Sequence, residues 1–369
     1  MSRNLASLSF AASLLAGTAL ADVPNVAVDI SPVHSMVARV MEGVGEPSLI
    51  VATGASPHEY NLRPSEANAL QNADLVFWVG PDLTPWLDDA IATLAEDATV
   101  VELIEAEGTT ELPMRESALF EPHDHGHEDH DAEHGHDDHD GHGEDHAEDH
   151  DGNHGHDDDH GHADEHDHED AHGHDDEHDH EEHDDHAGHD GHDHGGHDHG
   201  GHDPHAWLSP DNAEVWLNAI AAALSAQDPD NAGAYYANAA AGRAELVDLR
   251  TEIEGTLDQV RGENFIVFHD AYQYFEMAFD FPASGAISVS DASDPSPARI
   301  AEIQTRIAEQ NVTCIMSEPQ FNPGIVASVM DGSEAHTGVM DPLGADLEPG
   351  ADLYPQLLRN LATSLAECL

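Results

Sequence analysis

The sequence has no lysine, and its 369 residues carry ten arginines against 76 Asp and Glu, a formal net charge of −66. Nucleic-acid binding needs a basic patch to neutralise phosphates, so this composition argues against that class. It argues equally against docking on anionic lipid, which needs clustered cations. The partners that such a field attracts are cations. Aromatic residues are few, at 5%, and there are only two cysteines, Cys314 and Cys368. Two cysteines allow one pairing, with two free thiols as the alternative. A bridge between them would tie the last helix to a buried strand and add ~4 kcal/mol in the chain-entropy model. Past the N-terminus, no run is apolar enough to span a bilayer, which takes ~20 residues.

What the chain has in excess is histidine, 33 in all. Residues 121–203 hold 28 of them, together with 34 acids and no Arg. The apolar content of this stretch is five Ala, with no larger aliphatic and no aromatic. It cannot bury enough surface to offset the entropy of ordering, so disorder is expected. Imidazole and carboxylate alternate there without a fixed period, which suits many weak, interchangeable metal contacts. Metal needs the neutral ring, so these contacts should weaken between about pH 7 and 5.5. Without the stretch the chain carries −32. It then reads as an ordinary acidic globular protein with a second object inserted.

Arg3, the apolar run over residues 5–20 and the A-x-A site at Ala19-Leu20-Ala21 read as a secretory signal, with a mature start expected at Asp22. Export would make a disulfide chemically permissible. Between signal and insert, strand-like runs (25–30, 48–52, 74–79, 99–104) alternate with helix-like ones (34–42, from Arg63-Pro64, 84–96). A helix is expected from Ser209-Pro210, and a longer one over residues 232–261, ~45 Å at 1.5 Å per residue. Alternation then resumes, with strands at 265–268, 286–289, 313–317 and 338–340, and helices at 270–279, 297–310, 324–331 and 354–367. Such alternation implies an α/β fold with parallel strands and right-handed crossovers.

Four ligand-type residues lie just past expected strand ends or before helix starts: His58, His205, His269 and Asp341. Ligands of open α/β sheets bind beyond the carboxyl ends of the strands. Three imidazoles with a carboxylate or water make a good Zn²⁺ site. Imidazole-rich sites also suit copper and nickel. His34 and His336 read as ordinary structural or surface histidines. Tyr60, Trp78 and Trp207 are candidates for the cleft wall or the core.

The runs TGASPHEYNLRPSEANALQNADLVFWVGP, HAWLSP, FIVFHDAYQYF, SEPQF and MDPLGAD occur in this order. With Cys314 and Cys368 they resemble the periplasmic zinc-binding proteins of ABC importers, the ZnuA-type, cluster A-I metal solute-binding family. The resemblance runs from about Val26 to Leu369 and implies two Rossmann-like lobes joined by a long rigid helix, with a metal site in the cleft. It implies a signal peptide at 1–21, a first lobe at 22–120 and 204–231, the insert at 121–203, a linking helix at 232–261 and a second lobe at 262–369. His58, His205 and His269 take the three histidine-ligand positions. Their two spacings become equal, at 64 residues, once the insert is removed. Some relatives carry Glu before the first histidine, where this chain has Pro57, so Asp341 and water both stand as fourth ligand. Glu318 in SEPQF reads as structural. The resemblance also implies that the two cysteines pair.

The function so implied is capture of Zn(II) as a transported ligand in the periplasm and its delivery to an ABC-transporter permease, without catalysis, by a monomer. A periplasmic metallochaperone is a further candidate partner. The competing readings are a zinc buffer or metallochaperone, a metal-dependent adhesin, and a metalloenzyme. Against the last, no H-E-x-x-H pair lies outside the insert, and no nucleophile or oxyanion motif stands out.

Overall fold

The computed structural model describes residues 23–115, 117, 120, 201–288 and 295–369. The expected signal segment and nearly all of the insert lie outside the described residues, and so does the disorder expected of the insert. Contacts divide the chain into residues 1–123 with 198–369, and residues 124–197. The elements below all belong to the first unit.

The first half builds β1 (Val26–Val28), α1 (Ser31–Val40), β2 (Ser48–Leu49), α2 (Pro64–Gln71), β3 (Leu75–Trp78), α3 (Pro85–Leu94) and β4 (Thr99–Glu102). The strands form a parallel sheet in the order β2-β1-β3-β4. β3 is the sequence LVFW, buried throughout, as a strand covered on both faces must be. Proline opens α1, α2 and α3, where its missing N–H costs nothing. In α2 the Glu66 carboxylate turns back to accept the Arg63 N–H at 2.7 Å, which fixes the helix start.

After the insert come α4 (Pro210–Gln227) and α5 (Ala232–Leu257). Ser209 caps α4 by accepting the Asn212 N–H. α5 is 26 residues long, ~39 Å, a little shorter than expected. Residues 258–261 turn instead of continuing it. Gly242, a weak point for a helix on propensity alone, has a packing reason. A Cβ there would meet Leu217 at 3.2 Å and Arg39 at 3.4 Å, where α5 crosses α4 and α1.

The second sheet uses β5 (Phe265–His269), α6 (Gln273–Phe279), β6 (Ala286–Ser288), α7 (Pro297–Gln310), β7 (Cys314–Ser317), α8 (Pro323–Met330) and β8 (His336–Val339). Its strands are also parallel, in the order β6-β5-β7-β8, the same permutation as in the first sheet. α9 (Leu353–Cys368) closes the chain. It packs on β8 from its own half and on α1 from the other. Cys314 and Cys368 form a disulfide between the start of β7 and the end of α9. One apolar core runs from β1 through α4, α5 and β5 to α9. The architecture is thus a two-lobed α/β fold whose lobes share packing.

Candidate metal centre

In both sheets the strand order reverses beside one strand, β1 in the first and β5 in the second, which opens a crevice at the carboxyl ends. His269 is the last residue of β5, and Glu318 directly follows β7, its neighbour across that crevice. His58 sits in the loop after β2. Gly54 in this loop takes φ +79°, which favours glycine. The Trp86 indole N–H donates to Pro57 O at 2.7 Å and holds the loop on α3. Tyr60 packs against Trp86, ring centroids 5.6 Å apart, and donates its hydroxyl hydrogen to Glu66. His205 directly precedes a single 3-10 turn, Ala206–Leu208.

These segments bring His58, His205 and His269 together. Their ligand atoms all lie within 4.8 Å of one another. His205 is 6% exposed and His269 4%. Three nitrogens on one tetrahedral Zn²⁺ at ~2.0–2.1 Å stand ~3.3 Å apart, so small ring movements suffice to close them on an ion. Around them is a cavity of about 10 Å³ whose walls include Trp207, Phe321, Pro342 and Leu343. That is about the room that one water-sized occupant needs.

Carboxylates back two of the rings. Asp203 Oδ1 lies 2.7 Å from His205 Nδ1, and Glu318 Oε1 lies 2.7 Å from His269 Nδ1. An ionised carboxylate only accepts, so these partners assign the proton to each Nδ1 and leave each Nε2 with a lone pair for a cation. Burial pushes Asp203 up to about 7, against the pull of the His205 N–H and of Arg115. Burial likewise pushes Glu318 up, against His269. A cation at the imidazoles favours the ionised form of both.

Asp341 is not in this group. Its Oδ1 accepts the Leu343 N–H at 3.0 Å and the Gln320 amide at 2.9 Å, and its Oδ2 accepts the Ala345 N–H. It fixes the turn after β8 that carries Pro342 and Leu343 into the cavity wall. Glu59 is exposed, and so is His336 at the start of β8. His34 is buried in α1, with Nε2 at 3.1 Å from Pro47 O. Of the three aromatic candidates, Trp207 lines the cavity, Tyr60 braces the His58 loop and Trp78 belongs to the core. Sequence reasoning missed Asp203. Composition counts it with the insert, yet it is 3% exposed and bonded to His205. Its signal was an acid two residues before a candidate ligand, hidden among many acids beside histidines.

A crystal structure of ZnuA superposes with a TM-score of 0.63 at 21% identity, covering 94% of this chain and 99% of that one. A Pseudomonas aeruginosa solute-binding protein in complex with Mn²⁺, FpvC, gives 0.64 at 17%, covering 94% and 98%. Likeness at these identities shows the fold alone and sets the class as a two-lobed α/β protein with a parallel four-stranded sheet in each lobe. Sequence narrows the class. Residues 26–368 match the family described as "Zinc-uptake complex component A periplasmic". The chain is 44% identical to the high-affinity zinc uptake system protein ZnuA of Brucella abortus, over 100% of this chain and 99% of that protein. It is 43% identical to the protein of the same name from Paracoccus denitrificans, over 98% of each. The chain belongs to the ZnuA family, which is a transport family and not an enzyme family.

Proposed function

We propose that this chain captures Zn(II) in the periplasm and delivers it to an ABC-transporter permease for import. His58, His205 and His269 supply three imidazole ligands and water the fourth, while Asp341 shapes the cavity wall. The observation that carries this reading is the convergence of three imidazoles, two of them backed by buried carboxylates at 2.7 Å. Neutral imidazole suits zinc, and a carboxylate on the far nitrogen raises its basicity. The names of the Brucella and Paracoccus relatives support zinc over copper or nickel. In this reading residues 1–21 are the leader, 22–120 with 204–231 the first lobe, 121–203 the insert and 262–369 the second lobe, and the helix linking the lobes ends at Leu257. The chain acts as a monomer.

The insert gathers further zinc and raises its concentration near the tight site, since a tether can supply millimolar effective concentrations. Zinc titration of the full chain and of a chain lacking residues 121–200 tests this division. Residues 201–203 stay in place because Asp203 backs His205. One tight equivalent is expected in both proteins, and additional weak equivalents in the full chain alone. His269→Ala should lose the tight equivalent. Its survival in His269→Ala, or its loss on deletion, contradicts the assignment. A growth test in chelator separates importer from buffer: the protein should help only when the permease is present.

A further inference from the structure

The chain reaches the insert through a short ribbon. Met114 N–H donates to Gly201 O at 3.0 Å and Asp203 N–H to Leu112 O at 2.8 Å, with Pro113 bridging His202. α6 of the second lobe lies against this ribbon. The Tyr274 hydroxyl donates to Asp203 O and accepts the Leu112 N–H, both at 2.9 Å. The Gln273 amide nitrogen, in the orientation its neighbours require, reaches Pro113 O and Asp203 Oδ2 at 3.2 Å each.

Arg115 is the next residue, and its side chain is 13% exposed. Nη1 donates to Asp270 Oδ1 at 2.8 Å and to Glu276 Oε1 at 3.3 Å, and Nη2 donates to Glu276 Oε2 at 2.6 Å. Phe120 stacks on the guanidinium, 3.9 Å from its ring centroid. Asp270 and Glu276 are 6% and 4% exposed. Asp270 directly follows His269, and Asp203, whose charge also acts on Arg115, holds His205.

We infer that Arg115 is a positioning residue of the metal site, joining the ribbon that carries Asp203 to the turn after His269 and so setting the spacing of the His205 and His269 imidazoles. The inference rests on the ligand set proposed above. The planar guanidinium bonds both oxygens of Glu276 and reaches Asp270 as well, a fork that a lysine ammonium cannot reproduce. Without it, the two carboxylates are buried beside the site with no cation between them.

The test uses the full chain given slightly less than one equivalent of Co(II), then zinc in competition with a chelator. Four-coordinate Co(II) shows intense visible bands, and six-coordinate Co(II) weak ones. Arg115→Met should weaken zinc binding about 10- to 100-fold, the usual cost of losing an outer partner, and reduce the Co(II) bands. Arg115→Lys should recover melting temperature but not the spectrum. Arg39→Met removes a cation paired with Glu42 and Glu245 and should alter melting alone. A parental Co(II) spectrum and zinc affinity in Arg115→Met overturn the inference, whatever happens to melting. If Arg115→Met does not fold, Glu276→Gln decides: a weakened site supports the inference and an unchanged one overturns it. If the parent gives no four-coordinate spectrum, or His269→Ala keeps it, the ligand assignment has failed instead.

Discussion

Replacing Glu318 by Gln separates charge from shape at the site. Glu318 Oε1 accepts His269 Nδ1–H at 2.7 Å and the His269 backbone N–H at 3.3 Å. The amide carbonyl of the Glu318→Gln variant can accept both, so the ring keeps its orientation while the charge is lost. Hydrogen bonds to charged groups contribute ~1.5–3 kcal/mol and neutral ones ~0.5–1.5 kcal/mol. The difference, about 1–1.5 kcal/mol, corresponds to a roughly five- to tenfold weaker metal affinity. Glu318→Ala removes orientation as well and should approach ~100-fold. Stability should move the other way. Burial pushes the Glu318 carboxyl up, so a neutral amide relieves a buried charge and the metal-free protein should melt no lower than the parent. Chelator competition gives the affinities and thermal scans of metal-free protein give the melting points. Parental zinc affinity in Glu318→Gln would refute the reasoning, and so would equal losses in the Gln and Ala variants.

The other expectations concern the framework. Replacing Cys314 and Cys368 by Ser opens a cross-link of sequence separation 54 and should cost up to ~4 kcal/mol, read by denaturant unfolding. Tight zinc binding at neutral pH should survive, because neither sulfur is in the site; its loss would contradict the ligand set. Asp29 accepts the Ile30 and Val79 N–H groups at 2.7 Å each, and burial pushes it up to about 7. Its folded pKa exceeds the unfolded value, so its stabilising contribution is complete below about pH 4 and is lost as pH rises towards 7. Asp29→Asn should lower stability at every pH, because the amide NH₂ faces a backbone donor. It should also flatten the fall in stability between about pH 4 and 7, and a slope equal to the parent's refutes the point. Trp207→Phe loses the indole bond to Pro342 O at 2.8 Å and should cost ~1 kcal/mol in unfolding, with a modest loss of affinity.

Much of the fold was legible because the central strands are short and apolar and several helices open on proline. LVFW and FIVF could only be buried strands, and Pro at the first turn marked helix after helix. The end of α5 was not legible, because the chain past Leu257 carries no strong helix breaker before Gly262 while tertiary packing ends there. That His58, His205 and His269 come together was legible only when position beyond strand ends was joined to family resemblance. Asp341 had the same position, but backbone N–H groups that no sequence pattern reveals take up its oxygens. Arg115 was invisible for a related reason: its contact with Asp270 joins residues 155 positions apart and is closed by the tertiary fold. Asp203 lies only two residues from His205 and was hidden instead by the many acids beside histidines in the insert.

On the proposed function, the three sparse histidines of the framework, and not the abundant ones of the insert, hold the tight metal ion. An anomalous difference map at the zinc edge, from crystals of the full chain with one equivalent of zinc, tests it most directly. One dominant peak is expected, ~2.0–2.1 Å from an imidazole nitrogen of each of His58, His205 and His269, with an oxygen of water completing the tetrahedron. A dominant peak elsewhere, or one that lacks any of these three imidazoles, would contradict it.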